Sequence, residues 1–174
     1  VDLIKIMASG GSIDPETNRR RAQYSEAELR YAVDDAHRLN LPVLAHTNAT
    51  ESIRNAVRAG VDVIAHCNWL SPEEGRIEYD AEVADEIPER GVFVDLNIEG
   101  GWRPLVDGDG SAEDWTKNSP RTRWDLLEDM RRRGAKIFFT SDEIGPVVGT
   151  FPQLLLKAHE LLSIPIEEVI WRST

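Results

Sequence analysis

The chain has 174 residues, 41% of them hydrophobic, which suits one domain with a buried core. Its net charge of −11 disfavours nucleic acid and anionic membrane as partners, and no apolar run approaches the ~20 residues of a membrane span. A single cysteine, Cys67, excludes an intrachain disulfide and a cysteine cluster for metal, so a reducing, cytoplasmic compartment is the default expectation.

Asp2 to Met7 reads as an apolar strand broken only by Lys5, and the Gly10-Gly11 turn follows it. Ser12 to Gln23, with Arg19, Arg20 and Arg21 in a row, reads as a solvated loop. Ser25 and Glu28 have capping-box spacing and open a helix to about Leu39, with Leu29, Ala32, Val33 and Ala36 inward. Two short apolar runs come next, Pro42 to His46 and Asp62 to His66, each closing on Ala-His. Between them Asn48 and Glu51 offer a second capping box, Gly60 a left-handed exit, and Ile53, Ala56 and Val57 one apolar face. Strand, helix and strand in so short a span form a parallel βαβ unit with a right-handed crossover.

Ser71-Pro72-Glu73-Glu74 reads as a short helical turn, and Asp80 to Arg90 as a helix whose last turn Pro88 weakens. A strand ending at Asn97 follows. Ile98 to Ser119 is one long Gly-rich stretch carrying Trp102 and Trp115, expected to be a mobile lid over a site. Its acidic Gly-rich part lacks calcium-loop spacing. Arg121 to Arg133 is expected as a helix, Lys136 to Ser141 as a strand, Thr150 to Leu162 as a helix, and a last helix starts at Ile166. The junctions HRLNLPVLAH, VRAGVDVIAH, PERGVFVDLN and RRRGAKIFFT share one design: a basic last helical turn, Gly or Asn, then a strand. The expectation is an α/β fold of five parallel strands, each followed by a helix.

The carboxyl edge of such a sheet is where this architecture keeps its chemistry. At or near it stand Lys5, His46, His66, Asn97 and Asp142. Either histidine alone reads as a strand cap bonding a loop carbonyl. Two at equivalent places in consecutive units point to a shared site, and neutral imidazole is the commonest metal ligand. Lys5 inside an apolar strand would cost several kcal/mol unless paired or neutralised, which favours a chemical role. Asp142 reads equally as a cap of the next turn. His37 and His159 read as structural, and Cys67 as core.

On these residues the chain resembles the amidohydrolase superfamily, within it the zinc-dependent prolidase-like and imidazolonepropionase-like groups. The stretch DLIKIMASGG is the most specific part, and the strands ending at His46, His66 and Ser141-Asp142 follow in the family's order. The resemblance covers strands four to eight of the family's (β/α)₈ architecture, the TIM barrel, so residues 1–174 would form a single incomplete (β/α) barrel domain. It implies a divalent metal, one or two ions and usually zinc, held by a carboxylated Lys5, by His46 and His66, and by Asp142, which would also be the general base. Asn48, Asn97 and Trp102 would contact a small-molecule or peptide-like substrate. The family's first-strand His-x-His pair has no counterpart here, its Tyr two residues past the fifth-strand histidine is Asn48, and its Glu-His-Gly is Ala65-His66-Cys67. A metal-dependent hydrolase of amide, peptide-like or cyclic amide bonds is therefore expected. The alternatives are a Schiff-base lyase or aldolase using Lys5 and an inactive barrel fragment. Association into an oligomer or a missing amino-terminal segment is expected to cover the open sheet.

Overall fold

A computed structural model describes residues 1–11, 14–74, 76–97, 120–141, 151–162, 164–171 and 173. Its elements alternate along the chain: β1 (Ile4–Met7), α1 (Glu26–Arg38), β2 (Val43–Ala49), α2 (Thr50–Ala59), β3 (Val63–Leu70), α3 (Ala81–Glu89), β4 (Phe93–Asn97), α4 (Pro120–Arg132), β5 (Lys136–Thr140), α5 (Phe151–Leu162) and α6 (Ile166–Trp171). The strands form one sheet in the order β1-β2-β3-β4-β5, and every pairing is parallel. Sequential order with a helix after each strand is the arrangement of part of a TIM barrel. Among the described residues β1 and β5 are the edges.

Register divides the sheet into two unlike faces. Val43, Ala45, Ile64, Val94, Leu96, Ile137 and Phe139 are at most 3% exposed and share one core with Leu29, Val33, Ile53, Val57, Val83, Ile87, Leu127 and Met130 of the helices. The other face corresponds to a barrel interior. Near its amino end Lys5, Phe93 and Lys136 are exposed; one layer on, Met7 of the edge strand is exposed beside a buried His46, Ala65 and Asp95, and Asn97 beyond them is buried. Lys136 places its ammonium 5.2 Å from the centre of the Phe93 ring on this open side.

Several expectations are met by local chemistry. Ser25 and Glu28 form the capping box of α1, with the Ser25 N–H donating to Glu28 Oε2 at 2.8 Å. Gly60 ends α2 at φ +90°, where a side chain would be strained. Asp80 caps α3 through the Val83 N–H. His37 meets Asp62 at 2.8 Å and His159 meets the Ile164 carbonyl, both away from the strand ends. Cys67 is buried with its sulfur 3.9 Å from that of Met130.

Other expectations are corrected. Asn48 does not cap α2: β2 runs on through Ala49, which occupies the cap position without a side-chain hydrogen bond. Ser71 to Glu74 is a bend and turn, not a helical turn. An antiparallel bridge between Leu70 and Ile77 closes it, and Arg20 donates to the carbonyls of Ser71, Glu73 and Arg76 at 2.9, 3.0 and 3.2 Å. Arg20 is thus a clamp between loops and not part of a solvated run. Lys5 is exposed, because the face on which it stands is uncovered at that level, so the cost of burying its charge does not arise. The 98–119 stretch, with Trp102 and Trp115, and Asp142 lie outside the described residues.

Between α2 and α3, Arg58 meets Glu86 at 2.6 Å and Arg90 meets it at 2.9 Å. The Arg58 hydrogen bond holds the Glu86 carboxyl below its usual range, against the opposing effect of burial. A depressed folded-state value stabilises above the ordinary carboxylate range, and that stability is lost as pH falls through it. Glu86→Gln is expected to flatten the acid limb of the stability profile between about pH 6 and about pH 3. Urea unfolding across that range measures this.

Candidate active site

Strand periodicity alone would part the two histidines. Register sets Ala45 beside Ile64 on the helix side and His46 beside Ala65 on the other, which would turn His66 back beneath the helices. The backbone departs from that rule at the decisive point. His66 and Cys67 have φ of 66° and 48°, in the left-handed region, and the β2–β3 register shifts between Thr47 and Ala49. Ala65 and His66 therefore share the interior side, while Cys67 returns to Met130 of α4. His66 meets His46 edge to face, with ring centroids 4.4 Å apart. Both rings are buried, at 7% and 8% exposure.

A polar network holds His46 from below. Its Nε2 lies 3.2 Å from the Gly10 carbonyl oxygen and 2.8 Å from the terminal amide of Asn48. Asn48 is fixed in turn: its backbone N–H donates to Ser9 Oγ at 2.8 Å, and its side chain meets that of Asn68 at 2.6 Å. The Ser9 N–H reaches the His46 carbonyl, which ties the end of β1 to β2. Gly10 approaches the Asn18 backbone so closely that an added Cβ would lie 2.5 Å from it.

Two strands along, a second buried cluster occupies the same face. Asp95 Oδ1 accepts from the Thr140 hydroxyl at 2.7 Å, and that hydroxyl accepts from Asn97 at 2.5 Å. Asn97 also reaches Asp95 Oδ2 at 3.4 Å, and its own Oδ1 is buried without a hydrogen-bond partner among the described residues. Sequence reading missed Asp95, although a carboxylate inside the apolar run Phe93 to Asn97 is the same signal that singled out Lys5. It also missed Asn68, which carries no signal of its own in the sequence.

The structure thus brings together His46, His66 and Asn48. Lys5 shares their face, in register with Leu44 and one layer nearer the amino end. Asn97 stands two strands away, bonded to Asp95 and Thr140. Asp142 and Trp102 lie outside the described residues.

No family model matches the chain. Over 71 residues, 41% of its length, the chain is 37% identical to ochratoxinase of Aspergillus niger, of which that stretch is 15%. The crystal structure of A. niger ochratoxinase superimposes with a TM-score of 0.75 at 26% identity, covering 99% of this chain and 38% of that one. An amidohydrolase crystal structure matches with a TM-score of 0.77 at 31% identity, covering 99% and 40%. The structural neighbours are amidohydrolase-family proteins. The chain spans about two-fifths of the length of these amidohydrolase structures. A Xaa-Pro dipeptidase, at 20% identity and a TM-score of 0.74, shares the fold.

Gly10→Ala is expected to displace the Gly10 carbonyl from His46 and to lower stability by about 1–3 kcal/mol through overpacking against backbone. Gly11→Ala, whose Cβ would meet only the Met7 methyl at 3.7 Å, is expected to be close to neutral. Paired urea titrations compare the two.

Proposed function

We propose that this chain supplies the carboxyl-terminal part of the barrel of a metal-dependent amidohydrolase that cleaves an amide or peptide-like bond. The observation that carries the reading is the His46–His66 pair, 4.4 Å between ring centroids, at the carboxyl edge of a parallel sheet whose structural neighbours are amidohydrolases.

The donor set suits a zinc-like cation in part. Two imidazoles on one cation place their nitrogens about 3.3 Å apart at tetrahedral angles, within reach of rings so close. Among the described residues no group of three or more His, Cys, Asp or Glu could hold a metal ion. The further ligands in this reading are Lys5, carboxylated on its exposed amine, and Asp142. When bound, the metal supplies an activated water, with its pKa lowered to ~7, and polarises the substrate carbonyl.

In this reading His46 and His66 bind and orient, and Asp142 takes the proton of the attacking water and passes it to the leaving amine. Asn97, with a buried acceptor unused within the described residues, and Trp102 would face the substrate. Ochratoxinase and a prolidase crystallised with N-methylphosphonate-L-proline are among the relatives, which favours a small amide or peptide-like substrate. No described helix is long and apolar enough to cross a membrane. The open face at Lys5, Met7 and Phe93 and the edges at β1 and β5, unpaired among the described residues, support association, either as an oligomer or with a segment supplying the first three strands. Residues 1–174 would then be one incomplete barrel domain, acting in a cytoplasmic setting.

Metal analysis of the chain assembled with such a segment tests the reading. Stoichiometric zinc is expected, with His46→Ala and His66→Ala each weakening binding by at least about 10-fold. Zinc retained undiminished by both variants would contradict it.

A further inference from the structure

The cluster on β4 and β5 has a direction, and a carboxylate sets it. Thr140 Oγ1 stands 2.7 Å from Asp95 Oδ1 and 2.5 Å from the Asn97 amide, which also lies 3.4 Å from Asp95 Oδ2. A carboxylate has lone pairs and no proton, so the one Thr140 hydroxyl proton goes to Asp95. The Thr140 oxygen is then left as an acceptor, and the end of the Asn97 amide turned to it is the NH₂. The reversed amide would set the Asn97 oxygen against Asp95 Oδ2 and against a hydroxyl whose proton is already given. Asp95 thus selects one of the two amide ends, and Asn97 Oδ1 is turned away from the cluster.

That oxygen is not on an open surface. Asn97 is 6% exposed, and its Oδ1 is buried with no hydrogen-bond partner among the described residues. An acceptor so placed costs free energy until a donor reaches it. Register says what can reach it. His46 is level with Ala65 and Ala65 with Asp95, so Asn97 stands two strands from the histidine and one layer nearer the carboxyl edge. Two strand spacings are about 9.6 Å. A ligand of two or three residues spans that distance, so an amide lying against His46 can present an N–H to Asn97.

We propose that Asn97 is a specificity-determining residue whose Oδ1 accepts the N–H of a secondary amide, and that Asp95, acting through Thr140, is the positioning residue that keeps this acceptor outward. The substrate class is an amide that carries its N–H at the cleaved bond. Esters, and tertiary amides of the Xaa-Pro kind, leave Oδ1 unpaired. The substrate rests on the amide-hydrolase reading above, whereas the direction of the cluster does not.

Two measurements on the chain assembled with the barrel-completing segment test this. A neutron map of crystals exchanged into D₂O is expected to show the Thr140 deuteron on the line to Asp95, an Asn97 deuteron directed at Thr140, and a water deuteron directed at Oδ1. A deuteron on Asp95, the reversed amide, or Oδ1 taken by a main-chain N–H would overturn the proposal. The second measurement compares kcat/KM for N-benzoylphenylalanine with that for its ester, O-benzoylphenyllactate, in which oxygen replaces the N–H. The ratio of amide to ester is expected to fall about 10–100-fold in Asn97→Leu, which removes the acceptor. Asp95→Asn, which frees the Asn97 amide to reverse, should lower the same ratio and serves should Asn97→Leu not fold. A merely structural role would lower both rates together and leave the ratio as it was, which would equally overturn the proposal. Cleavage of neither compound would defeat the hydrolase reading, and the neutron map would still decide which way Asn97 faces.

Discussion

In a parallel sheet with helices on one face, each strand sends alternate side chains to opposite sides, and a histidine one residue out of phase with its neighbour is lost to the core. β3 is out of phase with β2: Ile64, not Ala65, lies beside Ala45 under the helices. The left-handed residues His66 and Cys67 absorb the mismatch by placing one extra residue on the interior side. For residues other than glycine such backbone costs about 1–3 kcal/mol each and persists only where its surroundings over-determine it. Here Cys67 is seated on Met130, Trp69 is edge to face with Tyr79 at 4.9 Å, and Thr47 donates to the Ala65 carbonyl at 3.0 Å. The strained segment is thus anchored on both sides of the sheet, and the His46–His66 pair depends on it.

The interior face changes character along its length. At the amino end exposed Lys5, Phe93 and Lys136 form an apolar and basic surface. At the carboxyl end His46, His66, Asn48, Asn68, Asp95 and Asn97 are buried, Thr140 is half-buried, and most of these are hydrogen-bonded to one another. Burying unsatisfied polar groups is costly, so Asn97 Oδ1 and Asn68 Oδ1, the acceptors left over, mark where water or a ligand completes the arrangement. The Arg20 clamp ties the loop after β1, whose Gly10 carbonyl meets His46, to the loop after β3.

Much of this was legible from residue order because its causes are local. Short Val- and Ile-rich runs closed by polar residues became the strands, and the Ser25–Glu28 box formed where its spacing placed it. The errors have local causes too. Asn48 has the chemistry of a cap, but the strand continues past it and the amide is taken by His46 and Asn68. Lys5 reads as buried in an apolar strand because a sequence cannot say which face of the sheet is covered. Asp95 carries no strand-end signal, because it lies two residues before Asn97 inside the apolar run. The pairing of His46 with His66 was expected for the wrong reason: simple alternation would have parted them, and the left-handed turn of the chain at His66 has no glycine or asparagine to announce it.

The central claim is that this edge of the sheet holds a cation between its two imidazoles. Diffraction at the zinc absorption edge, from crystals of the assembled protein grown with zinc, tests it most directly. The account predicts an anomalous peak about 2.0–2.1 Å from one nitrogen of His46 and one of His66. A zinc peak elsewhere, with the two rings still stacked edge to face and no density between them, would contradict it.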